Sequence, residues 1–216
     1  DAVASVLTKY GGSSDPGDVF ILNDPHGSGG THLPDIFVIK PVFVDDELEG
    51  FSASVAHHTD VGGIVPGSNS TDATEIYQEG LQIPTLKLYR RGVPDEALFA
   101  IIEKNVRVPL KVLGDLRAQI ASVFIGERGY LALCERYGTS TMRLYTDALL
   151  EYTVDLARQE IWNLPDGTYE SAGHVDADNI EEGPVVIQER PSGTGADRRQ
   201  HPGELLEHPE KSEKLS

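Results

Sequence analysis

Two short polar clusters contain most of the residues in this chain that can do chemistry. The first runs from Asn23 to Asp35 and the second from His57 to Gly63, and together they hold four of the seven histidines. Both are rich in glycine, which lets a backbone fold closely around a small object. Imidazole and carboxylate groups are ligands of divalent metal ions. The two clusters therefore predict a metal site.

Three segments around the clusters have the composition of β-strands. They are rich in β-branched and aromatic residues and are bounded by glycine, proline and aspartate. These segments are residues 18–22, 36–44 and 50–56. A polar turn at residues 45–50 is expected to join the last two as an antiparallel hairpin. Because the loops that enter and leave such a hairpin emerge at the same end of the sheet, we expect the two clusters to meet there.

The spacing inside each cluster limits which side chains can share one ion. His32 and Asp35 are separated by a Leu-Pro pair, and the proline stiffens the turn between them. His57 and His58 are adjacent, so in an extended segment at least one of them points away from the ion. The other histidine could then hydrogen-bond Asp60 or orient a substrate. Nitrogen and oxygen ligands without thiolate favour Mn, Fe or Zn.

Other polar residues near the clusters leave two interpretations open. Glu75, in a helix predicted for residues 71–79, would complete the ion's shell or act as a general base, or else lie on a solvated helix face. Asp24 has a structural alternative, an Asx turn that satisfies backbone groups. Lys87 and Arg90 would hold an anionic substrate or phosphate, or lie at a solvated strand end.

The chain after the third strand is predicted to be mainly helical. A strand at residues 86–89 precedes helices at 95–105, 109–137 and 141–163. Gly126 and Gly129 are expected to weaken the second of these helices. On the last helix, Leu144, Tyr152 and Leu156 lie along one stripe, which predicts packing in a core.

The end of the chain completes the predicted fold. A turn at residues 165–167 leads into a strand at 168–175, and from Gln188 the polar composition predicts a disordered tail. The fold class is therefore α+β, with a mixed, mostly antiparallel sheet in the N-terminal half, a helical half and a disordered C-terminal tail. The predicted divisions are a sheet-rich metal-site region at 1–93, a helical region at 94–187 and the tail at 188–216.

Composition excludes some classes of function. The formal net charge of -17 and the pI near 4.7 would repel a nucleic-acid backbone. No apolar run reaches membrane-spanning length and no secretory leader is visible, so the cytoplasm is the expected compartment. Cys134, a single cysteine among apolar neighbours, is expected in a core and agrees with a reducing environment. Asp1 opens the chain as if it were part of something longer.

Five ordered motifs give the chain a family resemblance. It resembles the hydantoinase B family from about residue 1 to residue 187, as a truncated member of a family whose chains are several hundred residues long. The motifs are Gly17-Asp18-Val19-Phe20 with Asn23-Asp24-Pro25, then residues 29–35 (GGTHLPD), 56–63 (AHHTDVGG), 74–80 (TEIYQEG) and 114–119 (GDLRAQ).

The resemblance implies a division of labour between two subunits. The family includes N-methylhydantoinase B subunits, the corresponding half of ATP-dependent 5-oxoprolinases and an acetone carboxylase subunit. A partner A-type subunit would bind ATP and phosphorylate the substrate, and the B-type subunit would hydrolyse the activated cyclic amide with a water activated by a metal ion. The lack of a Gly-x-x-x-x-Gly-Lys-Ser/Thr motif in this sequence agrees with ATP being bound by the partner of a hetero-oligomer.

The same resemblance leaves two other functions open. One is a carboxylase subunit, in which the activated substrate receives a carboxyl group in place of water. The other is an inactive scaffold that only binds the A-type partner, through residues 94–163.

The residues of the predicted site fall into three groups. The ligand set implied by the motifs contains His32, Asp35 and one or both of the adjacent histidines. The full assignment is His32, Asp35, His57 and Asp60 as ion ligands, Glu75, His58 and Asp24 as catalytic residues, and His26, Lys87 and Arg90 as substrate-binding residues.

Overall fold

A computed structural model describes most of the chain and divides it into two compact units. The described residues are 1–165, 167–168, 170–175, 185–189 and 192–193. The first unit is Asp1–Thr139 and contains both polar clusters, and the second is Ser140–Ser216. The boundary that the sequence places near residue 93 stays a prediction.

A five-stranded antiparallel sheet forms the centre of the first unit. Its strands are β1 (Val19–Leu22), β2 (Asp35–Val44), β3 (Glu47–His57), β4 (Leu86–Arg90) and β5 (Val93–Pro94), in the order β3-β2-β1-β4-β5. The predicted hairpin is confirmed as β2 and β3. Asp45 and Asp46 turn it with positive φ angles of 51° and 65°, as a two-residue type I′ turn requires.

Four α-helices accompany the sheet along the described chain. They are α1 (Ala2–Tyr10), α2 (Glu96–Asn105), α3 (Pro109–Tyr137) and α4 (Thr139–Asn163). The predictions of α2, α3 and α4 are confirmed. Asp95 caps α2 by accepting a hydrogen bond from the Leu98 amide, and Pro109 occupies the first turn of α3. The first helix was not predicted, because it is short and buries only Ala2 and Val6.

The helix predicted for residues 71–79 is wrong, since only a 3-10 turn forms there, at Ile76–Gln78. Within this segment the Gln78 amide donates to the Glu75 carbonyl and the Glu79 amide to the Ile76 carbonyl, and further backbone bonds run from its end to residues 61–64. The Gln78 carbonyl accepts a hydrogen bond from the Ile64 amide, and the Leu81 amide donates to the Val61 carbonyl. Local spacing could not reveal these partners, because they lie more than ten residues earlier in the chain.

The two faces of the sheet bury different sets of side chains, as the alternation of a strand requires. On one face Ile36 and Val38 belong to a core shared with residues of α2 and α3. On the other face Phe37 and Ile39 pack with α1. The first unit is therefore a sheet between one helix and a pair of helices, and the predicted fold class, antiparallel sheet followed by helices, is confirmed.

Helix α3 is continuous over 29 residues despite Gly126 and Gly129, which were expected to weaken it. A Cβ atom on Gly126 would meet the Ser52 hydroxyl of β3, so the absence of a side chain lets the helix lie against the strand. The next residue of α3, Glu127, forms an ion pair of 2.9 Å with Lys40 of β2. Cys134 is buried in the same helix, as predicted.

The second unit contains α4 and two short strand pairs. Strand β6 (Gly167–Thr168) pairs with β9 (Ser192–Gly193), and β7 (Ser171–Val175) pairs with β8 (Val185–Glu189). The strand predicted at 168–175 is thus divided in two. The predicted tail from Gln188 lies mostly outside the described residues, and its described part belongs to β8 and β9.

The apolar stripe predicted for the core on α4 is exposed. Leu144, Tyr152 and Leu156 are 67%, 64% and 45% exposed, and α4 has no buried residue. No helix in the described ranges combines the length and the hydropathy that a membrane span needs.

The Lys40–Glu127 pair gives a test of how α3 is held on the sheet. The Lys40 side chain is 2% exposed and that of Glu127 is 21% exposed. We expect Glu127→Leu to cost about 2–4 kcal/mol, because it leaves a buried ammonium without a counter-ion. Lys40→Met should cost less, since Glu127 can reach water. Urea unfolding of both single variants and the double variant measures the coupling, and purely additive losses would contradict this account.

Candidate metal site

Three side chains from the two clusters lie together at one end of the β2–β3 hairpin. Asp35 begins β2 and faces His57, the last residue of β3. The His57 ring lies 4.8 Å from the His32 ring, measured between centroids, at an angle of 49°. His32 Nδ1 is 2.9 Å from Asp35 Oδ2. The structure therefore brings both clusters to one place.

The contact between His32 and Asp35 is unlike an ordinary hydrogen bond. His32 Nδ1 is buried and has no hydrogen-bond partner among the described residues, although the carboxylate oxygen is only 2.9 Å away. A hydrogen bond requires the N–H direction to point at the acceptor as well as a short distance. The same oxygen accepts a 3.3 Å hydrogen bond from the Thr31 hydroxyl. An imidazole nitrogen and a carboxylate oxygen that converge in this way match the ligand types of a borderline divalent cation.

His57 is the third side chain beside His32 and Asp35, and its imidazole is a ligand type that suits the same cations. In the described part of the chain, no three His, Cys, Asp or Glu side chains are gathered tightly enough to hold an ion as they stand. His57 meets the pair through the face of its ring, in a tilted contact with His32. The side chains of His32 and Asp35 are 34% and 24% exposed, so a small molecule can reach them.

The adjacent histidines have separate environments. His57 is exposed, whereas His58 is 1% exposed. Successive side chains of a strand point to opposite faces, and His58 lies on the α3 face. There its Nε2 is 2.8 Å from Gln119 Oε1. Of the two, only His57 contacts His32 among the described interactions.

Asp60 organises the loop of the second cluster. Its carboxylate accepts hydrogen bonds from the amides of Gly62, Gly67 and Arg107 and from the Arg107 guanidinium, at 2.9–3.2 Å. Burial raises the pKa of this carboxyl, but the hydrogen bonds from Arg107 and the two glycines outweigh burial and hold the pKa below its ordinary value. These contacts direct the Asp60 carboxylate toward Arg107, and its role as an ion ligand stays a prediction.

Asn23 performs a similar task for the first cluster. Its side-chain amide donates to the carbonyl groups of Leu33 and Leu81 at 2.8 and 2.9 Å, and its oxygen accepts from the Ile83 amide at 2.6 Å. The residue is fully buried. Asn23 thus ties the start and the end of the cluster to the segment before β4. Neither Asn23 nor Arg107 was predicted to have a role in the site. The position of Asn23 directly after a strand was the only feature of the sequence that pointed to its role.

The other residues of the first cluster face α1. Asp24 Oδ1 accepts a hydrogen bond from the His26 amide at 2.9 Å, which is the Asx-turn geometry that the sequence offered as the alternative. His26 lines an open cavity of about 520 Å³ between this turn and α1. Ser5 and Lys9 line its other side, and the Lys9 ammonium donates to the Thr85 carbonyl at 2.7 Å.

The remaining predicted site residues lie elsewhere. Glu75 is exposed beside the 3-10 turn, and no described contact brings its side chain to the histidines. Lys87 is 7% exposed, and its ammonium lies 2.6 Å from Asp18 Oδ2 and donates to the Ser13 carbonyl at 2.7 Å. Arg90 is exposed at the end of β4.

The sequence of this chain matches a known protein family. A family model described as hydantoinase B/oxoprolinase matches residues 1–192. The chain belongs to the hydantoinase B/oxoprolinase family. The resemblance carried by the five motifs is thereby confirmed, and all five lie in the matched range.

Three proteins that are similar to this chain have different named activities. The putative B-type subunit of a D-/L-hydantoinase from Pseudomonas sp. (strain NS671) is 38% identical over 81% of this chain and 29% of the relative. The crystal structure of the ATP-dependent caprolactamase from Pseudomonas jessenii has a TM-score of 0.80 at 32% identity, covering 88% of this chain and 33% of the other. The acetophenone carboxylase delta subunit of Aromatoleum aromaticum (strain DSM 19018 / LMG 30748 / EbN1) is 28% identical over 83% of this chain and 26% of the relative. The chain thus spans a third or less of the length of these relatives.

The Asn23 contacts predict a strong effect of an isosteric change. Asn23→Asp replaces a donor that serves two carbonyl groups with an oxygen that repels them. We expect a loss of about 2–4 kcal/mol of unfolding free energy at neutral pH, measured by urea denaturation. Asn69→Asp, at an exposed position, is the matched control and should stay close to the wild type. Equal effects of the two substitutions would contradict the role of Asn23.

The lowered pKa of Asp60 predicts that part of the unfolding free energy depends on pH. Because the pKa of Asp60 is lowered in the folded chain, its contribution is complete above the ordinary pKa of about 4 and is lost as the pH falls through the lower, folded value. We expect Asp60→Asn to cost about 2 kcal/mol at pH 7 and progressively less below pH ~4, in urea unfolding at both pH values. The exposed Asp72→Asn serves as control. A cost that does not change with pH would contradict the ionic contact with Arg107.

Proposed function

We propose that this chain is part of a B-type subunit of an ATP-dependent enzyme that hydrolyses cyclic amides, and that His32, Asp35 and His57 hold a divalent cation in it. The observation that carries the proposal is the unbridged 2.9 Å approach of His32 Nδ1 to Asp35 Oδ2, next to the His57 ring. Membership of the hydantoinase B/oxoprolinase family supports the reaction class.

The ligand types indicate which ions fit. Two imidazoles and one carboxylate, without thiolate, suit Mn, Fe or Zn. When bound, such a cation polarises a carbonyl group or a water molecule and stabilises developing negative charge. Asp35 supplies the negative charge of the ligand set, and the Thr31 hydroxyl orients its carboxylate. His58 and Asp60, which the sequence placed near the ion, act in this proposal through the backbone that they hold in place.

The substrate and the partner follow from the relatives. A cyclic amide is the proposed substrate, since one relative is named as part of a hydantoinase and another as an ATP-dependent caprolactamase. The cavity of about 520 Å³ beside His26 has a volume in the range that holds small ligands, but His32, Asp35 and His57 are not among the residues that line it. In this proposal ATP is used by an A-type partner subunit, which activates the amide before hydrolysis.

A second candidate reaction is carboxylation at the same cation. The acetophenone carboxylase delta subunit among the relatives favours it. The two reactions are separated by assaying the assembled enzyme, with its A-type partner, for ATP-dependent cleavage of 5-oxoproline and hydantoins and for bicarbonate-dependent consumption of a ketone. Amide cleavage supports the proposal, and ketone consumption alone would replace it with the carboxylase.

Metal binding tests the proposed ligands directly. We expect the wild-type chain to bind about one equivalent of Mn²⁺, Fe²⁺ or Zn²⁺, because one ligand set is present. His32→Ala, His57→Ala and Asp35→Asn should each lower the affinity by about tenfold or more in calorimetric titration and metal analysis. His174→Ala, at an exposed position in the second unit, is the matched control. Unchanged stoichiometry and affinity in all three ligand variants would remove the site.

A further inference from the structure

Gln119 of α3 connects the ends of the two strands that carry the proposed ligands. It is 5% exposed. Its side-chain nitrogen donates to the Ile36 carbonyl of β2 at 2.9 Å and approaches the Ser54 carbonyl of β3 at 3.5 Å. Its oxygen lies 2.8 Å from His58 Nε2, at the end of β3. One buried amide thus touches both strands of the hairpin on the face opposite His57.

The direction of these bonds fixes the proton on His58. A reversed amide would place Gln119 Oε1 against the Ile36 carbonyl oxygen, so the nitrogen must face Ile36 and the oxygen must face His58. Because an amide oxygen only accepts hydrogen bonds, His58 Nε2 carries the proton. His58 Nδ1 then carries the lone pair, and it is buried without a partner among the described residues. A proton at Nδ1 would be a buried donor with nothing to bond, which is the costlier state.

The contacts of Gln119 lie one residue away from two of the proposed ligands. Ile36 follows Asp35, and His58 follows His57. The His58 amide also donates to the Pro34 carbonyl at 2.8 Å, which closes the same end of the hairpin. Since adjacent residues of a strand point to opposite faces, fixing Ile36 and His58 on the α3 face fixes the directions of Asp35 and His57 on the other face.

We propose that Gln119 is a positioning residue for the cation site: through His58 and the Ile36 carbonyl it sets the relative placement of Asp35 and His57. This inference rests on the proposed function for its consequence, a change in cation affinity. Its structural part, the His58 tautomer and the closure of the hairpin end, is measured without any metal.

Two independent sets of variants separate the role of Gln119 from general damage to the fold. Gln119→Met keeps the volume of the side chain and removes both hydrogen bonds. Arg128→Gln, on the exposed side of the same helix, is its control. His58→Gln keeps a nitrogen donor near the Nε2 position, whereas His58→Leu does not. Circular dichroism of the full chain verifies that each variant is folded.

Three measurements then decide the proposal. In ¹⁵N-labelled wild type, the ring nitrogen shifts of His58 should show the proton on Nε2. Amide hydrogen exchange at His58 and at its neighbours should be about tenfold faster in Gln119→Met and His58→Leu, and unchanged in Arg128→Gln and His58→Gln. The affinity for Mn²⁺ should fall about tenfold in the first pair and stay near the wild-type value in the second.

Each failure has a distinct meaning. A proton on His58 Nδ1, or exchange that is unchanged in Gln119→Met, overturns the bridge. Faster exchange with unchanged Mn²⁺ affinity overturns the positioning role. If the wild type itself binds no Mn²⁺, Fe²⁺ or Zn²⁺, the proposed function fails, while the tautomer and the exchange rates still decide whether Gln119 closes the hairpin end.

Discussion

The register of β2 against β3 is the constraint on which the rest of the site depends. It places Asp35 opposite His57 and is regular as far as Val42 opposite Gly50, beyond which a bulge shifts it by one residue before the turn at Asp45 and Asp46. A slip of one residue would move every side chain of one strand to the other face, exchanging His57 with a neighbour and burying polar groups in the core. The two faces of β2 have different partners, since Ile36 and Val38 pack in the core shared with α2 and α3 and Ile39 packs with α1, and this difference holds the register.

The loops at the far end of the hairpin are shaped by buried polar side chains as well as by the apolar packing of Leu33 and Val61. Asn23 satisfies one carbonyl group of the first cluster and a carbonyl group and an amide of the segment before β4. Asp60 satisfies the amides of Gly62, Gly67 and Arg107 and the Arg107 guanidinium. A buried polar group that has all its partners specifies one backbone path, because any other path leaves a partner without a bond. The bonds that shape these loops are therefore made by groups of the chain itself.

The sequence predicted those parts of the fold that local pattern controls. The strands and the hairpin follow from alternation and turn composition, and the meeting of the clusters follows from antiparallel pairing. The different environments of the two adjacent histidines also agree with strand alternation. Which histidine is buried depends on the face that α3 covers, and a contact between residues 58 and 119 leaves no trace in local spacing.

Long-range contacts also explain what local pattern could not predict. Asp60 has the type and position of a ligand, but its partner Arg107 lies 47 residues later, between α2 and α3. The segment 71–79 has helical spacing, but it forms only one 3-10 turn, and its end is bonded to residues 61–64 through the Gln78 carbonyl and the following Leu81 amide. In both cases a backbone or charge partner that is distant in sequence outweighs a local preference of a few tenths of a kcal/mol per residue.

Two adjacent histidines at a strand end can have separate roles, one as an accessible ligand and the other as a buried residue that holds the backbone in place. A ligand must remain open to a small molecule, and an exposed side chain keeps much of its rotational freedom. A buried neighbour is held by packing and hydrogen bonds, and consecutive Cα atoms are only about 3.8 Å apart, so the backbone orientation that the neighbour fixes is shared by the ligand. His58, enclosed between β3 and α3, supplies that rigidity, and His57 remains free to meet His32 on the opposite face. The contacts that position the proposed ligands therefore lie on the α3 face of the sheet, opposite the face of the proposed ion site.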